Sequence, residues 1–164
     1  MTMAITPDDV TRLWGTMVSE YRAVMKYKPA SVPGASRCAT LGRVVWVPQD
    51  WESYTPSDQY ILLTHESVHL AQFAKYGLFG FLSRYLLLPL PVGLAAYRYK
   101  IECEAYKSEM QAVFTIFGGE HLRALTKHYQ NALRGYYWAC IVPGAINSWV
   151  TNTIESVINE NSAE

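Results

Sequence analysis

The sequence predicts an α+β fold, mainly helical, with one small β-sheet placed ahead of the second helix. Three observations carry this. Two segments open alike, Thr6-Pro7 with Asp9 and Thr55-Pro56 with Asp58: a capping hydroxyl, a proline at the first helical position and a carboxylate near the positive end of the helix dipole. Between them, residues 29–50 are punctuated by Pro29, Pro33, Gly34 and Gly42 and hold the clearest strand of the chain, Val44-Val45-Trp46-Val47. The 164 residues show no internal repeat, low-complexity tract or dividing linker, so residues 1–164 are expected to form a single domain.

Taken in order, the first helix is expected to run from its Thr6 cap to about Lys26. The second should run from Thr55 to Tyr76, with Gly77 as a left-handed stop. A third is expected from about Gly93 to Phe117, closed by Gly118-Gly119, and a fourth from about Glu120 to Arg134, closed by Gly135. The tail from Ser148 to Asn159 has a weaker helical pattern.

Half of the residues are hydrophobic, enough to bury a core and to exclude a disordered chain. Fourteen basic residues balance fourteen acidic ones, so there is no electrostatic reason to expect nucleic acid or an anionic membrane as partner. Cys38, Cys103 and Cys140 are scattered and form no C-x-x-C pair, which reads as reduced core thiols. The first residues, Met1 to Asp9, lack the basic start and apolar run of a secretion signal. A cytoplasmic location is the expectation.

The chemistry concentrates in Thr64-His65-Glu66-Ser67-Val68-His69, an H-E-x-x-H pattern inside the second helix. Residues four apart share a helix face, so the imidazoles of His65 and His69 can reach one metal ion. Glu66, one residue on, is rotated around the helix and can act on a water without occupying the metal. Zinc lowers the pKa of its water, and a carboxylate takes the proton as that water attacks a carbonyl. The plain alternative is a pair of histidines packed in a core.

Catalytic zinc sites use three protein ligands and leave a position open. The candidate third ligand lies in Arg98-Tyr99-Lys100-Ile101-Glu102-Cys103-Glu104-Ala105-Tyr106. H-E-x-x-H followed by this Glu-x-x-Ala resembles the zincin metallopeptidases, such as the membrane CAAX proteases. In those the first Glu binds zinc and the small Ala lets its helix approach the catalytic one. The resemblance implies a zincin-like domain, Zn²⁺ as cofactor, Glu102 as third ligand and Ala105 as the close-packing residue. CAAX proteases continue with Asp where this chain has Tyr106. Alignment on the Glu-Ala pair of thermolysin selects Glu104 instead. The two acids point about 200° apart on a helix, so one alone can face the metal, and Glu102 is the one expected.

The run from Val44 to Tyr106 is also similar to small, poorly characterised metallopeptidases of bacteria and phages. Val47-Pro48, Asp50-Trp51, His65-Glu66, Gln72, Arg84-Tyr85-Leu86, Glu102 and Ala105-Tyr106 carry that likeness, which implies fold and chemistry but no substrate. In zincins an edge strand above the catalytic helix holds an extended peptide by backbone hydrogen bonds. Arg43–Val47 could do this, or could be an ordinary strand feeding Val and Trp to the core.

Leu78 to Tyr97 is apolar and long enough for a membrane span, but contains Arg84, Pro89, Pro91 and Gly93. A single span would also part His69 from Glu102. Packing in the core or along a substrate groove is expected, with a hairpin dipping into lipid as the alternative. Tyr136, Tyr137, His121 and His128 are candidates to stabilise an oxyanion, and Gln72 either orients a group near the metal or is polar surface.

Three functions compete. The first is a zinc metallopeptidase acting on a peptide or protein substrate, with Glu66 as base. The second is a di-iron carboxylate protein, which needs a second Glu-x-x-His; Glu102 leads to Ala105 and Glu104 to Lys107. The third is a non-catalytic, zinc-stabilised module, for which the carboxylate of Glu66 has no use.

Overall fold

A computed structural model describes residues 2–29, 31, 37–86, 91–137 and 143–162, with side chains described for all of these except 78, 79, 81–86, 91–97, 135–137 and 143. The fold is α+β and mainly helical, with a small three-stranded sheet ahead of the helix that bears the motif. The chain forms two compact units, Ala4–Leu78 and Met1–Met3 with Phe79–Glu164.

In the first unit, helix α1 spans Pro7–Tyr21. Its start is the expected capping box: the Asp9 N–H donates to Thr6 Oγ1 and the Thr6 N–H donates to Asp9 Oδ2. Its end differs from expectation. The helix stops at Tyr21, because Arg22 adopts a left-handed conformation (φ 53°) and its N–H caps the carbonyls of Met17 and Val18. Val24–Tyr27 then forms strand β1 instead of a last helical turn. Here sheet pairing wins: Val24 donates to the Arg43 carbonyl, and the strand runs parallel to Val44–Val47.

Strand β2 (Ala39–Leu41) and strand β3 (Val44–Val47) form a hairpin around Gly42-Arg43. Gly42 has φ 65°, which a tight hairpin turn of this length requires at its first position and glycine supplies without strain. The sheet order is β1-β3-β2. The expected strand is therefore present, but it is central. Both of its edges are paired, so it has no free backbone row for an added peptide. Alternation decides its faces: Val45 and Val47 are fully buried and pack with Met17, Ala23, Trp51, Leu63 and Leu70.

After a 3₁₀ turn at Trp51–Ser53, helix α2 spans Pro56–Leu86. It opens as expected, with the Asp58 N–H donating to Thr55 Oγ1 and the Thr55 hydroxyl donating to Asp58 Oδ2. Gly77 interrupts it but does not end it. Its φ of 65° with ψ of 172° makes a kink, and helix resumes to Leu86.

The second unit holds helices α3 (Pro91–Phe117), α4 (Gly119–Ala124), α5 (Thr126–Tyr137) and α6 (Pro143–Ser162). The expected helix over 120–134 is two helices. Leu125 breaks it, and the Thr126 hydroxyl takes the Arg123 carbonyl that a continuous α-helix would offer to Lys127. Gly135 closes nothing, since α5 runs on to Tyr137. The tail helix starts at Pro143, earlier than Ser148, and buries Ile146, Val150, Ile154 and Val157 in one stripe. Among the described residues no helix is long and apolar enough to cross a membrane. The packing expected for the apolar segment 78–97 lies largely outside the described side chains.

Candidate metal centre

The sequence puts two kinds of residue on adjacent faces of α2. Leu63, Glu66 and Leu70 follow a spacing of three and four, so they share the face turned to the sheet. Glu66 is consequently only 4% exposed, a carboxylate set between two core leucines. Its partner comes from the hairpin: the Thr40 hydroxyl donates to Glu66 Oε2 at 2.6 Å. Such a short bond is the charge-assisted kind that a buried carboxylate needs. Cys38, two residues before Thr40, feels the same environment. Burial, and then the Glu66 charge, push its thiol up to about 12.

His65, His69 and Gln72 lie at i, i+4 and i+7 on the neighbouring face. The two imidazoles meet edge to face with centroids 5.0 Å apart, and their Nε2 atoms are separated by 3.2 Å. Two nitrogens that each bind a tetrahedral zinc at its usual bond length lie about 3.4 Å apart, so this spacing fits a shared ion. Gln72, only 5% exposed, places its Oε1 3.0 Å from His69 Nδ1. A carbonyl oxygen can only accept, so Nδ1 carries the proton and Nε2 keeps its lone pair for a metal. The polar-surface alternative for Gln72 is thereby corrected: burial and the imidazole bond make it an orienting residue.

His65, His69 and Glu102 each offer one ligand atom, and these atoms all lie within 4.8 Å of one another, a group that could hold a metal ion. Glu104 is exposed and is not one of the three. Two imidazoles and one carboxylate form a borderline donor set with one charge, suited to a divalent transition ion.

Comparison with protein-family models, curated proteins and solved structures finds no match to the chain. The reading of the site therefore rests on its own residues.

Of the other candidates, His121 is exposed and stacks on Phe117 at 4.7 Å, while His128 is exposed with its ring 5.5 Å from that of Tyr129. Neither joins the group of His65, His69 and Glu102. The side chains of Tyr136 and Tyr137 lie outside those described. Thr40 is the residue that sequence reasoning missed. A signal existed in Leu41-Gly42-Arg43-Val44: a two-residue hairpin around Gly42 pairs Thr40 with Val45. Paired residues share a sheet face, and Val45 faces the core, so Thr40 must face α2.

Proposed function

We propose that this protein is a zinc-dependent metallopeptidase of the zincin type, with a peptide or protein as substrate. The observation that carries the proposal is the buried carboxylate of Glu66, held by the Thr40 hydroxyl, beside two imidazoles whose Nε2 atoms face each other at 3.2 Å. A site that only stapled the fold would need ligands, not a carboxylate held next to them in the core.

His65, His69 and Glu102 would hold the ion, with Gln72 fixing the tautomer and tilt of His69. Bound there, zinc would supply Lewis acidity, easing ionisation of a water and polarising a carbonyl. The chain does the rest. Glu66 takes a proton as a water O–H bond breaks and its oxygen bonds to the scissile carbonyl carbon. The same carboxyl then gives that proton to the amide nitrogen as the C–N bond breaks, so one water is consumed and a carboxylic acid and an amine are formed.

The test combines metal content with cleavage of a mixed library of unstructured peptides. About one zinc per chain is expected, lost in His65→Ala and in His69→Ala. Glu102→Gln should weaken zinc binding strongly, whereas Glu104→Gln should leave it near the parental value. Glu66→Gln should keep the zinc but lower hydrolysis by about 10²–10⁴-fold. Two irons per chain, or a Glu66→Gln variant as active as its parent, would defeat the proposal.

A further inference from the structure

A carboxylate has two equivalent oxygens, and a glutamate side chain can turn about three bonds, so a base is effective only when one oxygen is aimed. In this chain the aiming group is visible. We propose that Thr40 is a positioning residue, whose hydroxyl holds Glu66 Oε2 so that Oε1 is the oxygen that takes and returns the proton. This role rests on the peptidase function proposed above and adds a residue from the sheet to it.

The geometry is specific at each link. The Thr40 hydroxyl has one proton, and it is directed to Oε2 at 2.6 Å. Thr is β-branched and stiff about its first side-chain bond, so strand geometry sets the hydroxyl's direction. The strand is pinned in turn: Thr40 pairs with Val45, which is fully buried, and a slip of one residue would turn Thr40 to the opposite face. The hairpin also meets α2 a second time. A Cβ at Gly42 would lie 3.5 Å from Phe73, so the turn rests on a side chain seven residues, two helical turns, beyond Glu66. Attached to one helix face at Glu66 and Phe73, the hairpin cannot swing without breaking one contact. Among the described residues Thr40 is the hydrogen-bond donor to Glu66. Oε1 remains for chemistry.

Proton balance follows from this assignment. The proton leaving water lands on Oε1, while Oε2 becomes the carbonyl oxygen of the neutral acid and still accepts from Thr40. Return of the proton to the amide nitrogen restores the starting carboxylate. The threonine bond persists through both steps, so no rearrangement is needed between them.

Thr40→Val keeps shape and strand preference but removes the donor; Thr40→Ser keeps the donor. With the mixed peptide library, and then one cleaved peptide as probe, Thr40→Val should lower kcat by about 10–100-fold with KM and zinc content little changed, and should lower the thermal midpoint, because the buried carboxylate loses its donor. Thr40→Ser should return kcat to within severalfold of the parent. Adding Thr40→Val to Glu66→Gln should cost nothing further, because Thr40 acts through that carboxylate. If Thr40→Val unfolds at the assay temperature, kcat is compared with that of Thr40→Ser at a lower temperature at which both are folded. A Thr40→Val enzyme with parental kcat, or a fall that Ser does not rescue, overturns the role and leaves the peptidase function standing. A parent that binds zinc yet cleaves nothing overturns both.

Discussion

Helix α6 buries Ile146, Val150, Ile154 and Val157 with one uncharged hydroxyl, Thr153, beside them, whereas α2 buries a carboxylate, Glu66, between Leu63 and Leu70 and an amide, Gln72, on the neighbouring face. Both helices obey the same 3.6-residue geometry. They differ in what they are built to do. The α6 stripe is mostly aliphatic burial, worth about 1.5–3 kcal/mol for each fully buried aliphatic side chain. Helix α2 gives up that gain at two positions on adjacent faces, and each buried polar group is made tolerable by a specific partner, Thr40 for Glu66 and His69 for Gln72. A buried carboxylate and a buried amide, each bonded to a side-chain partner, are where α2 yields stability to the proposed chemistry.

The comparison can be broken by mutation. Ile154→Ala in α6 should lose about 2–5 kcal/mol of stability in chemical denaturation, the transfer cost plus the cavity left behind. Glu66→Leu with Thr40→Val, which removes both partners of a buried polar pair in favour of apolar groups, should be close to neutral or stabilising. An equal loss in both would mean that the polar pair is structural, and the contrast between the helices would fail.

A smaller effect is expected at Gln72. Gln72→Leu keeps the bulk of the buried side chain and removes the acceptor of the His69 Nδ1 proton. Zinc affinity should fall by about 10–100-fold, read by competition with a chelator. His69 stays in place as a ligand, so zinc is weakened and not abolished. Unchanged affinity would show that Gln72 only fills space.

What was legible in the sequence follows the same divide. Local signals carried the helix starts, since Thr6 with Asp9 and Thr55 with Asp58 are complete within four residues. Helical spacing carried His65, Glu66 and His69. The errors lie where the decision is non-local. Local pattern carries the first helix on over Val24–Lys26, because the partner strand of these residues, Val44–Val47, is far along the chain. The placement of Val44–Val47 at the centre of the sheet has the same cause, as does the omission of Thr40, whose role depends on a hairpin docking to a helix. At Leu125 the miss was subtler: a helical pattern continues through the break, and a single threonine hydroxyl redirects the chain.

The smallest effect separates the two regions by charge. Cys38 beside the motif and Cys103 in α3 are both free thiols pushed up to about 12, with burial as the leading cause. For Cys38 the next cause is the Glu66 carboxylate. For Cys103 a hydrogen bond with Tyr99 pulls the other way, and the Glu102 and Glu104 charges add to the rise. A raised thiol pKa means that folding favours the protonated form. Its contribution to stability is complete below the ordinary thiol value of 9.0 and is lost as pH climbs from there to about 12. At pH 10 the folded protein should therefore hold roughly one thiolate in a hundred at either position and react slowly with iodoacetamide. Glu66→Gln removes a charge that Cys38 feels and leaves the causes at Cys103 intact. In metal-free protein, peptide mapping after alkylation at pH 10 should show a few-fold faster modification of Cys38, with Cys103 unchanged. The Cys103 rate is the internal control, because loosening of the whole fold would raise both. A selective rise at Cys38 would show that the Glu66 carboxylate is ionised and close by in solution; equal rates in parent and variant would remove the charge from its place beside Thr40.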